Sequence, residues 1–190
     1  MNSLRMVVAG FSDVTRKKIK NAFSQKGYMV HECNDGATAL RLVRNIKPDI
    51  VIIDSDLKGM NGYEVARIIE GDGIAPVLFI ASAFQEDLMD VIKDRSMFTY
   101  IVKPISMHNL ISTVEYMTAN YRRLSKMQEE INRLKNSLEA RKKIERAKGL
   151  LMKYFNISEE EAYRKMRKDS MDRCLSMEVI AEEILNKYGN

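Results

Sequence analysis

Leu124-Ser125-Lys126-Met127-Gln128-Glu129-Glu130-Ile131-Asn132-Arg133-Leu134-Lys135-Asn136-Ser137-Leu138 is the stretch that divides this chain into its parts. Leu124, Ile131 and Leu138 recur every seven residues, Met117 stands one repeat earlier, and Met127 and Leu134 follow two of them by three, the a/d spacing of a coiled-coil seam. Glu130 then takes a g position and Lys135 the next e, an opposite-charge pair suited to a parallel partner strand. The helix expected here starts near Met107, after the last proline, Pro104, and runs to Phe155 with Gly149 as its one interruption. Beyond Leu138 the repeat slips: Ile144 comes six residues later and Arg141 takes the d position, so pairing ends near residue 140. The competing expectation is a long helix folded back on its own domain.

Upstream, short apolar runs alternate with helix-like segments. Leu4 to Ala9, Tyr28 to Cys33, Ile50 to Ile53, Val77 to Ala81 and Tyr100 to Val102 read as strands. Between them, Ser12-Asp13 starts a helix that reaches about Lys26, and Ala37 to Asn45, Tyr63 to Glu70 and Glu86 to Lys93 read as further helices. Five strands in this alternation predict an α/β domain, a parallel sheet doubly wound by helices, over residues 1–117. In such sheets the working site lies at the carboxyl ends of the strands. Asp54 and Asp56 fall there after the third, Ala81 and Ser82 after the fourth, and Lys103-Pro104 after the fifth. An aspartate facing a lysine across that edge also fits a purely structural ion pair.

The order of these residues resembles the receiver domain of response regulators. Asp49-Ile50-Val51-Ile52-Ile53-Asp54 with Gly59-Met60-Asn61-Gly62 looks like the phosphoacceptor strand and its turn, and Tyr100-Ile101-Val102-Lys103-Pro104 like the strand that carries the lysine and aromatic switch residue. The resemblance implies Asp54 as phosphoacceptor, Lys103 as the cation on the phosphoryl oxygens, Tyr100 as a rotamer switch and a sensor histidine kinase upstream. The chain departs from the pattern where an acidic pair normally holds Mg²⁺ after the first strand, because Gly10 and Phe11 stand there. Ser82 also falls one residue late for the usual hydroxyl. Magnesium needs several hard oxygens in near-octahedral array, so weak Mg²⁺ binding and slow or absent phosphorylation are expected. Asp13 could stand in for the missing carboxylates, but it is expected to cap the first helix instead.

Composition places the rest. At 190 residues and 45% hydrophobic content, the chain can bury one sizeable core and a smaller one. Cys33 and Cys174 stand in no ligand pattern and read as reduced thiols, no apolar run reaches the roughly 20 residues of a membrane span, and a cytoplasmic protein is expected. The net charge of +5 lies wholly in residues 118–190, with 17 Lys/Arg against 12 Asp/Glu. An acidic partner is therefore expected there.

Residues 118–140 read as the coiled-coil linker and 141–190 as an all-α bundle of three helices. Ile144, Ala147, Leu151 and Tyr154 continue an apolar stripe; Ser158 and Glu161 have capping-box spacing; Met177, Ile180, Ala181, Ile184 and Leu185 form one buried face. Lys142, Arg146 and Lys153 share a face with Gly149, whose cost in helix propensity suggests close approach of a backbone or ligand. Arg164, Lys165, Arg167 and Lys168 follow on the next helix, beside Tyr163, with Ser170 and Arg173 in the connector after it. Such charges often form only a solvated face, but aromatic and guanidinium groups together suit looped RNA.

Ile144-Glu145-Arg146-Ala147-Lys148-Gly149-Leu150-Leu151-Met152, then Ile157 to Tyr163, Met166-Arg167, Ser170-Met171 and Ile180 to Leu185, resembles the ANTAR domain of transcription antitermination regulators. The resemblance implies binding to hairpins of a nascent leader transcript. It assigns RNA contact to Lys148, Tyr163, Arg167 and Ser170, and packing to Ala147, Ala162 and Met171. With the basic faces, the expected RNA set is Lys142, Arg146, Lys148, Tyr163, Arg164, Arg167, Lys168 and Ser170. Lys148 lies about 40° from the Ile144 stripe at about 100° per residue, which also fits a buried-edge residue with a snorkelling head.

The combined expectation is a homodimeric RNA-binding antiterminator with an atypical receiver as input and no catalytic residues, since His31 and His108 stand alone. The alternatives are a DNA-binding response regulator and a protein-interaction adaptor. Glu178, Glu182 and Glu183 on the last helix speak against a helix laid in a major groove.

Overall fold

The computed structural model describes residues 3–83 and 97–189, so the helix expected over Glu86 to Lys93 lies outside the described residues. The elements are β1 (Leu4–Ala9), α1 (Asp13–Gln25), β2 (Tyr28–Cys33), α2 (Gly36–Ile46), β3 (Ile50–Asp54), α3 (Gly62–Gly71), β4 (Val77–Ala81), β5 (Phe98–Val102), α4 (Met107–Phe155), α5 (Glu159–Asp172) and α6 (Met177–Tyr188). The chain divides into two compact units, residues 1–124 and 125–190.

In the first unit the five strands are parallel in the order β2-β1-β3-β4-β5. Uninterrupted apolar runs put side chains on both faces of the sheet, as a strand covered twice requires. Val51 and Ile53 of β3 join Ala39, Val43, Val65 and Ile69 from α2 and α3 in one core layer. Ile50 and Ile52 point the other way, into a layer with Ile19 and Phe23 of α1 and Leu110, Val114 and Met117 from the start of α4. These four apolar residues of β3 are fully buried, each contributing about 1.5–3 kcal/mol of transfer free energy. The order reverses direction between β1 and β3, and the carboxyl ends flanking that switch point carry the first site.

Local signals fix the helix starts. Ser12, not Asp13, caps α1, accepting from Thr15 N–H, while Asp13 occupies the first turn and pairs with Arg16; the expected Asp13 cap is thereby corrected. Ser158 and Glu161 close a capping box on α5, and Ser176 caps α6. Helix α5 runs on to Asp172, so Ser170 belongs to its last turn rather than to a connector.

The second unit packs Ala147 and Leu151 of α4 against Ala162 and Met166 of α5 and Ile180 and Ala181 of α6. Four ion pairs from three cations tie the helices across this small core: Lys148 to Glu159, Lys143 to Glu178 and Glu182, and Arg173 to Glu183. Along α4, Leu124, Met127, Ile131, Leu134 and Leu138 are 45–60% exposed.

Candidate functional site

Asp54 ends β3 with its side chain buried, and β5 delivers Lys103 opposite it. The Lys103 Nζ lies 2.7 Å from Asp54 Oδ1 and 2.8 Å from Asp56 Oδ2, so one ammonium spans both carboxylates. Asp54 Oδ1 also accepts the Asp56 N–H at 3.1 Å. Ser82, at the end of β4, reaches the two oxygens of Asp56 at 3.1 and 3.2 Å and the Ser55 hydroxyl at 2.6 Å. A cleft of about 650 Å³ opens over the group, walled by Phe11, Pro104 and Ile105 and by the hydroxyls of Ser12 and Thr15.

The electrostatics follow from that geometry. Hydrogen bonds from Lys103 and then Ser82 hold the Asp56 carboxyl below its ordinary range. Burial pulls the Lys103 ammonium down, but its bonds to Asp54 and Asp56 outweigh this and raise it overall. Both groups therefore stay charged at neutral pH.

A divalent cation finds few donors here. Gly10 has no side chain and Phe11 no oxygen, and the carbonyls of both accept from the Arg16 guanidinium at 3.1 and 3.2 Å. Arg16 was not singled out in the sequence, because only its fold back onto β1 reveals the role. Among the described residues no group of three or more Asp, Glu, His or Cys could hold a metal, and both site carboxylates already answer to Lys103. The donor set does not fit the near-octahedral oxygen shell of Mg²⁺. Gly10 adds a steric reason: its φ is +88°, and a Cβ there would lie 2.7 Å from Asp54 Cβ.

In the helical unit, the stripe of Lys142, Arg146, Gly149 and Lys153 is exposed, and Lys142 pairs with Glu139 at 2.8 Å. A Cβ at Gly149 would meet nothing within 4 Å, so no backbone of this chain explains the glycine. It opens instead onto a cleft shared with Arg146. On α5, Tyr163, Arg164, Arg167 and Lys168 are exposed, with Arg164 3.2 Å from Glu160. Two expected RNA contacts are drawn inward. Lys148 is buried with its ammonium 2.8 Å from Glu145 and 2.7 Å from Glu159, which raise its pKa. The Ser170 hydroxyl donates to the Leu175 carbonyl at 2.5 Å. Ala147 and Ala162 are buried as expected of packing residues, whereas Met171 is 64% exposed, a correction to its expected packing role.

Comparison with known proteins bears on both units. The response regulator receiver domain model matches residues 11–115, and the ANTAR domain model matches residues 132–185. The transcriptional regulatory protein PdtaR of Mycobacterium tuberculosis is 32% identical over 186 residues, which cover 97% of this chain and 91% of PdtaR. This chain belongs to the receiver–ANTAR response regulators. The DNA-binding response regulator MtrA of Mycobacterium leprae is 32% identical over 91 residues, 47% of this chain and 40% of its own. The receiver domain of the Francisella response regulator 1452 superposes with a TM-score of 0.55 at 23% identity, covering 62% of this chain and 98% of that one, a likeness of fold.

The receiver thus brings Asp54, Asp56, Ser82 and Lys103 into one cluster. Tyr100 sits half-buried on β5, packed against the core layer of α2 and α3. The ANTAR bundle does not gather its eight expected residues into one patch. Lys142 and Arg146 share the α4 stripe, Tyr163, Arg164, Arg167 and Lys168 lie on the solvent side of α5, and Lys148 and Ser170 hold the bundle together. No helix among the described residues is long and apolar enough to cross a membrane.

Proposed function

We propose that this response regulator acts in transcription antitermination, its ANTAR bundle binding hairpin RNA of nascent leader transcripts. The observation that carries the reading is a set of unclaimed cations. Among the described residues, Arg146, Lys153, Arg167 and Lys168 are exposed and form no ion pair, although carboxylates elsewhere in the bundle take Lys142, Lys143, Lys148, Arg164 and Arg173. Tyr163 stands one helical turn from Arg167, so a base stacked on the ring would bring its phosphate toward the guanidinium. Lys148 and Ser170 are left out of the contact set.

The chain works as a parallel homodimer joined along Leu124 to Leu138, which holds two bundles for two hairpins and converts two weak contacts into one stronger one. The boundaries that fit this division of labour are 1–117, 118–140 and 141–190. The receiver is the input, with a sensor histidine kinase as its upstream partner; Asp54 accepts phosphate slowly or not at all, and Mg²⁺ binds weakly. The protein is a cytoplasmic regulator without an enzymatic activity of its own.

The rival is binding to duplex DNA. Against it, Glu178, Glu182 and Glu183 of α6 take up Lys143 and Arg173 in ion pairs, so this helix brings no excess of positive charge to a major groove. A gel-shift comparison of a two-hairpin RNA with duplex DNA at two salt concentrations decides between them. Retention of the RNA with a steep loss in salt is expected; preference for the duplex would overturn the reading.

A further inference from the structure

The cleft over Asp54 is far larger than a metal ion needs. At about 650 Å³ it lies in the middle of the range of small-molecule sites, about 300–1,000 Å³. Phe11 and Ile105 on its wall are half-buried and packed against the core layer of α1 and the start of α4, so the apolar lining is in place before anything binds. The Phe11 ring is held there against a backbone preference, since its φ of +64° lies in the left-handed region. Fixed apolar walls with a few convergent polar groups are the usual make-up of an organic ligand's site.

The polar floor carries an acceptor that the described residues leave unused. Asp54 is 3% exposed, and its partners all fall on one oxygen: Oδ1 takes the Lys103 ammonium at 2.7 Å, the Asp56 N–H at 3.1 Å and the Ser55 hydroxyl at 3.4 Å. Oδ2 has no hydrogen bond or ion pair among the described residues. No fully buried side-chain oxygen or nitrogen among them lacks a partner, so Oδ2 opens into the cleft that Asp54 lines. Charge then decides what it accepts. Two carboxylates, Asp54 and Asp56, stand against one ammonium, Lys103, which leaves the floor with an excess of negative charge. Arg16 beside it does not reverse the balance, because Asp13 and Glu32 both pair with it. An anion is repelled from such a floor; a cation with N–H groups to give is held by charge and hydrogen bond together.

We propose that this cleft binds a small organic cation, a primary ammonium on an apolar body, with the ammonium on Asp54 Oδ2 and the body against Phe11, Pro104 and Ile105. The ligand shares the floor with Lys103 rather than displacing it, since the two use different oxygens of Asp54. The Ser12 and Thr15 hydroxyls, 3.0 Å apart at the rim, offer further acceptors to its remaining N–H groups. A receiver that binds such a molecule has an input that needs neither Mg²⁺ nor phosphate, and the proposal goes beyond the RNA-binding reading without depending on it.

The test titrates the full chain with benzylammonium, benzyl alcohol and benzoate, read by the chemical shifts of the isoleucine methyl groups. A probe of so few atoms should bind with a dissociation constant of about 1 mM. Benzylammonium should bind about tenfold more tightly than benzyl alcohol, the surplus of a hydrogen bond to a charged group over a neutral one, and benzoate more weakly than either. Asp54→Asn should abolish that preference while the alcohol still binds, a result that a misfolded receiver cannot give. Ile105→Ala should weaken ammonium and alcohol alike, by about fivefold through lost apolar contact, and leave their ratio unchanged. Should Asp54→Asn lose both probes, Ile105→Ala decides: an equal loss for the two supports the cleft, and no loss for either overturns it. Equal binding of ammonium and alcohol by the parent chain, a preference that survives Asp54→Asn, tighter binding of benzoate, or no ammonium binding at about 20 mM would each overturn the proposal. None of these outcomes touches RNA binding, which the gel-shift reads separately.

Discussion

Replacing Leu134 by alanine should separate the dimer while leaving the helix itself intact. Alanine is the better helix former, so the substitution costs nothing in propensity. Leu134 is 60% exposed in the single chain. Burying a whole leucine side chain contributes about 1.5–3 kcal/mol, so covering its exposed part is worth about 1–2 kcal/mol per chain and about 2–4 kcal/mol per dimer. That converts to a dimer dissociation constant about 30 to 1,000 times higher. Sedimentation equilibrium reads it directly, with Asn136→Ala, off the seam, as the control. The loss should persist at high salt, because the seam is apolar, and affinity for a two-hairpin RNA should fall to that for one hairpin. A chain that is monomeric from the start, or a Leu134→Ala dimer as tight as the parent, would refute the reasoning.

Arg167→Ala should weaken RNA binding across all hairpins and lower the slope of log affinity against log salt by about 1, read by binding titrations at several salt concentrations. Acid should loosen the ANTAR bundle: Lys148 holds Glu159, the Ser158 backbone holds Glu161, and Arg173 holds Glu183 below the ordinary glutamate range. Groups depressed in the folded state stabilise it above their unfolded value and lose that contribution as pH falls through the folded one. Thermal midpoints should therefore hold near neutrality and drop below about pH 4.3. Incubation with a small-molecule phosphodonor and Mg²⁺ should leave most of the chain unmodified by intact mass; rapid stoichiometric phosphorylation at Asp54 would contradict the donor-set argument. Gly10→Asp should fail to improve Mg²⁺ affinity in a titration and should lower the melting temperature, since a left-handed backbone costs a non-glycine residue about 1–2 kcal/mol before any clash is counted.

Much of this was legible in the residues, and the exceptions share a cause. Tyr28–Cys33 and Met107–Phe155 fall where apolar pattern and proline placement put them, because both signals are local. Asp54, Asp56, Ser82 and Lys103 were readable as one edge, since parallel strands bring their carboxyl ends together. The loss of Ser170 to the bundle was not readable, although the buried edge of Lys148 was. Helix geometry gave Lys148 an edge position, but its partner Glu159 lies on another helix. Arg16 escaped notice for the same reason, its acceptors being carbonyls that any sequence would supply. Phe155, Lys165, Asp169 and Tyr188 form a cleft only when three helices meet.

The loop after β1 works as a one-way valve. With Gly10 at φ +88°, Phe11 at φ +64° and Arg16 bound to both their carbonyls, a carboxylate introduced at either position arrives on a backbone shaped for something else. Installing a metal-dependent switch here would take a rebuilt loop and the release of Arg16, not one substitution. Engineers seeking an inducible version would do better to place the trigger along the exposed apolar stripe of α4.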